Sequence, residues 1–453
     1  MSDLPNAVGR LAARALLAVL LGCAGAATAA AGLFNPVTFT LDNGLQVVVV
    51  VDRRAPAVTQ MLWYKAGAMD EPLGKSGIAH FLEHLMFKGT QTVAPGEFGR
   101  LVAQAGGRDN AFTSADYTGY FQQVPSGHLE LVMRLEADRM LNLRIDPADI
   151  ETERQVVLEE RRMRTDNQPS AQLWEMAGAA QYLSHPYRLP VIGWQHEIEG
   201  LTHADALAFY HRFYAPNNAI LVIAGDVELE TVKRLATQYY GPLPRRPLVA
   251  EGELLEPPQR AARRVQLEDP RVRRPSLWRT YLAPSRVHGA TQHAVPLRLL
   301  ADIVGGGSTS RLYRSLVVEQ ELASSASASY NGVTRGPATF TLSLTPHNAS
   351  KLAEAEAALN AALAELLAKG VSQEELDRAR NSALAEAIYA RDNIGTAPRV
   401  LGAALAIGLK VEDVEAWPRL IEQVTVEQVN QAARAVFDAN ASVTAVLLPK
   451  PAS

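Results

Sequence analysis

His80-Phe81-Leu82-Glu83-His84 lies inside an apolar run from Ile78 to Phe87 and reads as H-x-x-E-H. Ile78, Phe81, Leu82 and Leu85 fall on one stripe at helical spacing, so the run reads as a helix with a buried face. Residues four apart on a helix project from one side, one turn above the other, so His80 and His84 present their imidazoles together. Zinc accepts two neutral imidazoles at that spacing, and Glu83 falls between them, close enough to act on a water at the ion. The pattern is short, and two histidines on a core helix can equally be buried, hydrogen-bonded residues. A third ligand separates the two readings.

Glu153-Arg154-Gln155-Val156-Val157-Leu158-Glu159-Glu160 is a second helical run, with Glu153, Val156, Val157 and Glu160 on one face. Glu160 can complete a two-His, one-carboxylate site that leaves a fourth position for water. Glu153, two turns earlier, suits the shell behind the ligands, where it would orient a histidine ring. By itself such a glutamate pair is an ordinary solvated helix face.

Five stretches now add up: GIAHFLEHLMFKGT, NAFTSADYTGYF, ETERQVVLEERRMRTD, HPYRLPVIGW and FYAPNNAILVIAGDV. Together they resemble the pitrilysin and mitochondrial-processing-peptidase family of inverzincins, and within it the short bacterial members that work as two subunits. The resemblance runs from about Val37 to the C-terminus and is densest in the first half. It implies that His80, His84 and Glu160 bind Zn2+, that Glu83 is the general base and that Glu153 supports the site. It also implies two α/β halves facing each other across a chamber, in the manner of a clamshell.

The 453 residues suffice for two or more domains. Apolar and charged fractions of 47% and 20% are those of a globular protein, and a net charge of −4 without a basic run gives no reason to expect nucleic acid. The only cysteine is Cys23, which rules out an intrachain disulfide or a cysteine zinc site. Arg10 and Arg14 precede the apolar run Ala15–Leu21, and small residues follow through Ala31, the order of a secretory signal peptide. Residues 1–31 are therefore expected to be removed, with the cut falling between 22 and 31. Leu20-Leu21-Gly22-Cys23 offers the alternative of a lipoprotein signal with a lipid anchor at Cys23. No later run is apolar enough to span a bilayer, so a periplasmic or otherwise extracytoplasmic protein is expected.

Val37–Leu41 and Leu45–Val51 flank Asp42-Asn43-Gly44 and predict a β-hairpin. Strands follow at Val58–Tyr64, Arg108–Thr113, Tyr117–Val124 and Ala219–Ala224, with helices between them. Gly241-Pro242-Leu243-Pro244-Arg245-Arg246-Pro247 opens a Pro-rich stretch that reaches Pro258. Beyond it the pattern restarts. Thr202 through Tyr214 into Ile220–Ile223 matches Thr425 through Phe437 into Val443–Val446, and the Glu/Arg-rich run Ser372–Ala390 echoes Pro147–Arg164. The chain reads as a duplication of about 220 residues. The expected class is α+β: residues 34–243 form a zinc-binding half, 244–262 a linker, and 263–450 a homologous half without H-x-x-E-H. In that second copy Ala379 and Glu386 fall where Glu153 and Glu160 stand, and a lone Glu386 reads as a solvated helix residue.

Asn110-Ala111-Phe112-Thr113 sits where the family has an edge strand that pairs with extended substrate, a mode that tolerates many sequences. His185, His196, His203 and His211 lack ligand-like spacing and read as structural. Gly305-Gly306-Gly307 lacks the Lys-Ser/Thr of a phosphate loop and reads as a loop between moving halves. The expected function is a zinc metalloendopeptidase acting on extended or unfolded peptides. The alternative is a non-catalytic binding or structural subunit, against which the full set of ligands and Glu83 counts. One departure from the family bears on assembly. Self-sufficient members carry an arginine and a tyrosine seven residues apart in the second half, where this chain has Val317 and Ser324. Either Arg314 or Tyr330 takes over, or a related zinc-less subunit supplies the pair.

Overall fold

The computed structural model describes residues 32–248, 252 and 254–450. The signal-peptide segment and Cys23 lie outside the described residues. The first half is built on a six-stranded sheet. Its strands are β1 (Val37–Thr40), β2 (Gln46–Val51), β3 (Ala57–Tyr64), β4 (Arg108–Thr113), β5 (Thr118–Pro125) and β6 (Ala219–Gly225), in the order β1-β2-β6-β3-β5-β4. The expected hairpin forms, with Val37 opposite Val49 and Thr40 opposite Gln46. Asn43 in its turn donates its side-chain amide to the carbonyls of Tyr240 (2.7 Å) and Leu243 (3.0 Å), tying the start of this half to its end.

Strand β6, Ala-Ile-Leu-Val-Ile-Ala-Gly, runs parallel to β2 and is buried throughout, which is why it reads as one apolar run and not as an alternation. Its residues still divide by face. Leu221 and Ile223 join the main core beneath helix α1 (Ile78–Leu85), while Ile220, Val222 and Ala224 join a second apolar layer on the opposite face. Around the main core stand α2 (Glu97–Gln104), α3 (Leu129–Asn142), α4 (Pro147–Arg161), α5 (Pro169–Gln181), α6 (His203–Phe213) and α7 (Leu229–Tyr239).

The second sheet comprises β7 (Arg263–Asp269), β8 (Ser276–Ala283), β9 (Ala323–Tyr330), β10 (Ala338–Pro346) and β11 (Ser442–Pro449), in the order β7-β11-β8-β10-β9. In the first sheet β2 pairs parallel with β6, and antiparallel pairing then runs through β3, β5 and β4. In the second, β7 pairs parallel with β11, and antiparallel pairing runs through β8, β10 and β9. The topologies match strand for strand, with β1 as an extra edge in the first. The duplicated pattern along the chain therefore corresponds to two halves of one α/β plan.

The halves exchange helices. Helix α11 (Thr396–Ala406), from the second half, lays Leu401 and Leu405 on the far face of the first sheet against Trp63, Ile220 and Val222. Gly402 permits the approach, because a Cβ there would stand 2.1 Å from the Trp63 indole nitrogen. In return α5 sets Leu173 and Ala177 against Ala445 and Leu447 of β11. The linker adds Glu256, whose carboxylate accepts from the backbone N–H groups of Leu183, Ser184 and His185.

Two sequence expectations need correcting. Gly305-Gly306-Gly307 is not a loop between the halves. Gly305 ends helix α8 (Ala294–Gly305), and a Cβ on it would meet the Ala328 nitrogen at 1.9 Å. The glycine lets this helix touch β9 inside the second half. The helix expected over Pro147–Arg164 is α-helical only to Arg161 and continues as a π-helical turn, Arg162–Asp166. That wider turn changes the facing of Arg164 relative to Glu160. Glu386, on helix α10 (Gln373–Tyr389), which follows α9 (Leu352–Lys369), forms an ion pair with Arg298 at 2.8 Å, and Ala379 is buried in the second core.

Candidate metal centre

Helix α1 starts at a backbone position only glycine tolerates. Gly77 has φ +88°, and a Cβ there would stand 2.6 Å from the Ile192 carbonyl. Gly77 has no side chain to cap the helix, so Glu71 supplies the acceptor. Its two oxygens each take a backbone N–H, from Gly77 and Ala79, at 2.9 Å. Ser76 N donates to Glu197 (2.6 Å), and Trp194 N donates to the Ser76 hydroxyl (2.9 Å). The HPYRLPVIGW stretch thus holds the start of the helix that carries both histidines.

One turn apart on α1, the His80 and His84 rings stand 4.7 Å apart, centroid to centroid. Glu160 comes across from the end of α4. Its Oε2 lies 3.1 Å from His84 Nε2 and 3.7 Å from His80 Nε2. A tetrahedral ion with bonds of about 2.0–2.1 Å separates its donors by about 3.3–3.4 Å, and these two distances bracket that value. Among the described residues this is the one group of three or more His, Cys, Asp or Glu side chains whose donors converge in this way. Burial, with His84 and Arg164 adding to it, lowers the His80 pKa to about 3, so the ring is neutral as a metal ligand must be. The residues present fit a zinc ion.

Glu153, two turns before Glu160, faces the other nitrogen of His84. His84 Nδ1 donates to Glu153 Oε1 at 2.9 Å, which fixes the tautomer and leaves Nε2 free to bind. Lys88 Nζ stands 2.5 Å from the second oxygen of Glu153. The His84 hydrogen bond, followed by Lys88, holds the Glu153 carboxyl below its ordinary range. Burial alone would lower the His84 pKa, but Glu153, Glu160 and Glu83 outweigh it and leave the value raised.

Glu83 is buried beside the histidines, and burial pushes its pKa up, opposed in part by a hydrogen bond from the Thr113 hydroxyl. Thr113 ends β4, and β4 is the outer strand of its sheet. The strand containing Asn110, Ala111, Phe112 and Thr113 is therefore an edge, and its last residue touches the proposed base. The fold brings together His80, Glu83, His84, Glu153 and Glu160, five residues expected from the sequence.

Other contacts had no clear signal in the sequence. Lys88 on Glu153 and Arg164 on Glu160 (2.8 Å) are common charged residues on helical surfaces. Glu71 sits in a loop six residues before its first partner. Away from the centre, Val317 packs against the second core and the Ser324 hydroxyl donates to the Thr345 carbonyl at 3.1 Å. The Tyr330 hydroxyl donates to the Pro284 carbonyl at 2.6 Å, and Arg314 lies 3.7 Å from Glu319.

Comparison with known proteins agrees with this geometry. The family model described as "Insulinase (Peptidase family M16)" matches residues 46–193, and "Peptidase M16 inactive domain" matches residues 200–383. A Helicobacter pylori protein named "Zinc protease PqqE" is 33% identical over 416 residues, 90% of this chain and 92% of its own. A Schizosaccharomyces pombe protein, named as a probable mitochondrial-processing peptidase subunit beta, is 31% identical over 206 residues, 46% of this chain and 45% of its own. The crystal structure of a protease from Helicobacter pylori superposes with a TM-score of 0.84 at 30% identity, covering 92% of this chain and all of that one (100%). The chain belongs to the insulinase-type peptidases of family M16, a family in which its relatives are named zinc proteases.

Proposed function

We propose that this chain is the zinc-binding subunit of an endopeptidase that cleaves extended or unfolded peptides. The observation that carries the reading is the convergence of His80 Nε2, His84 Nε2 and Glu160 Oε2, with Glu83 buried alongside and joined to an edge strand through Thr113. His80, His84 and Glu160 would hold the ion, and Glu153 would keep the His84 ring in its binding orientation. Zinc when bound acts as a Lewis acid toward the scissile carbonyl and acidifies water. Glu83 accepts the proton of the attacking water and delivers it to the leaving amine. Backbone pairing along Asn110–Thr113 would hold a peptide extended without demanding a particular sequence.

Arg-and-Tyr assistance from the second half is absent at Val317 and Ser324, the Tyr330 hydroxyl is bound to the Pro284 carbonyl, and Arg314 lies exposed 3.7 Å from Glu319. These contacts favour a second, related chain as the donor of both groups. Losing one such donor costs about 10²–10³ in rate. The test assays this chain, the candidate partner and their mixture against an unstructured peptide, with activity expected only in the mixture and one zinc per pair. Full activity from this chain alone, unchanged by Val317→Ala and Ser324→Ala, contradicts the partner requirement. A non-catalytic role would be supported by zinc-loaded mixtures that bind peptide and never cleave it. Residues 1–31 support export, with cleavage between residues 22 and 31, or lipid attachment at Cys23. Among the described residues no helix is long and apolar enough to cross a membrane.

A further inference from the structure

The edge strand has two faces, and the metal centre uses one of them. Thr113 reaches Glu83, and Ala111 packs toward the core beneath α1. Phe112, between them, points to the opposite face. There its ring meets Trp63 edge-on at 5.0 Å, covers Gly119 of the neighbouring strand and lies 5.7 Å from the Arg399 guanidinium. On this face a cleft of about 560 Å³ opens between the two halves. Its walls include Trp63, Phe112 and Tyr117 from the first half, and Val400 and Trp417 from the second.

The cleft is apolar and carries only positive charge. Among the described residues three arginines line it and no carboxylate does. Arg298 is paired with Asp302 (2.5 Å) and Glu386 (2.8 Å). Arg286 donates to the Asp413 carbonyl at 2.9 Å and lies over the Trp417 ring. Arg399 differs. Its guanidinium lies over Phe112 and Phe121, at 5.7 and 5.3 Å, with no carboxylate in ion-pair reach among the described residues.

A peptide paired along β4 alternates its side chains as the strand does, so a segment presented to Glu83 on one face presents every second side chain to the other. We propose that the cleft beside Phe112 is a substrate subsite, taking a bulky apolar side chain of the β4-paired peptide while Arg399, on the same face, holds a carboxylate two residues along the same peptide. The inference rests on the peptide-cleaving reading, which it deepens by giving the substrate a class: extended segments in which an aromatic or large aliphatic residue stands two positions from an acidic one. The aromatic walls set the first preference, and the unpaired cation sets the second.

The test measures binding apart from cleavage. Glu83→Gln protein is titrated by fluorescence anisotropy against a labelled, extended Ser/Gly-rich peptide containing one Phe-Ser-Glu segment, and against its Ala-Ser-Glu and Phe-Ser-Gln versions. A filled apolar pocket separates Phe from Ala by about 10–200-fold. A partly exposed ion pair separates Glu from Gln by roughly two- to fivefold. Val400→Trp, which fills the cleft from a position already 37% exposed, should reduce the Phe/Ala ratio to about twofold or less. Arg399→Gln should abolish the Glu/Gln difference and leave the Phe/Ala ratio in place, and thermal melting verifies that both variants fold. Unchanged ratios in both variants, or no binding of the Phe-Ser-Glu peptide, overturn the subsite. Hydrolysis of the same peptides is followed separately with Glu83 restored, alone and with partner. Failure there counts against the catalytic reading, while the binding ratios still decide the subsite.

Discussion

Replacing Glu153 with alanine isolates what the shell behind the ligands contributes. The carboxylate is nearly buried, accepts from His84 Nδ1 at 2.9 Å, and stands 2.5 Å from Lys88 Nζ. Alanine leaves the Nδ1–H without its acceptor and strands a half-buried ammonium. Hydrogen bonds to charged groups contribute about 1.5–3 kcal/mol each. Only the bond to His84 bears on the metal, because it fixes which nitrogen carries the proton and which way the ring faces. Loss of such a partner weakens metal binding about 10–100-fold, or about 1.4–2.7 kcal/mol. Glu153→Gln keeps an oxygen that can accept from Nδ1 and should lose less than Glu153→Ala. The assay is competition for zinc against a chromophoric chelator at neutral pH, with circular dichroism confirming the fold. An affinity for Glu153→Ala within twofold of wild type would refute the orienting role.

Gly402→Ala should destabilise the protein by about 1–3 kcal/mol, because its Cβ would overlap the Trp63 indole where the two halves exchange helices; chemical denaturation reads the change, and a neutral result would mean that α11 can shift without cost. His185 is buried and burial, reinforced by His288, lowers its pKa from 6.5 to about 4. The folded state therefore keeps it neutral while the unfolded chain protonates it, so its contribution is complete above pH about 6.5 and is lost as pH falls toward about 4. A shift of 6.5 − 4 = 2.5 units caps that loss at about 3 kcal/mol. His185→Phe should flatten denaturation midpoints across this window, and an unchanged slope would remove His185 as the cause.

The chain alone carried much of this architecture because its signals are local. Helix α1 follows from one apolar stripe, the first hairpin from Asp42-Asn43-Gly44, and the matching halves from repeated helix-to-strand patterns near Tyr214 and Phe437. Glu160 was legible because it lies two turns from Glu153 on one face. The exchange of α5 and α11 was not, since an amphipathic helix shows that it buries a face and not which sheet it covers. Gly305 misled for a related reason: a glycine that permits close packing and one that permits motion look alike until the neighbouring strand is seen. Thr113 was expected as part of an edge strand, but its bond to Glu83 depends on how β4 crosses the end of α1, a tertiary fact without a local signature.

The central claim, that His80, His84 and Glu160 hold the metal while Glu83 moves the proton, is tested most directly by measuring zinc content and peptide hydrolysis together in Glu83→Gln and His84→Ala, each assayed with its partner. Wild type should carry about one zinc per chain. Glu83→Gln should keep that zinc and lose hydrolysis, whereas His84→Ala should lose both. Loss of zinc from Glu83→Gln to the same extent as from His84→Ala, or hydrolysis by Glu83→Gln at the wild-type rate, would contradict it.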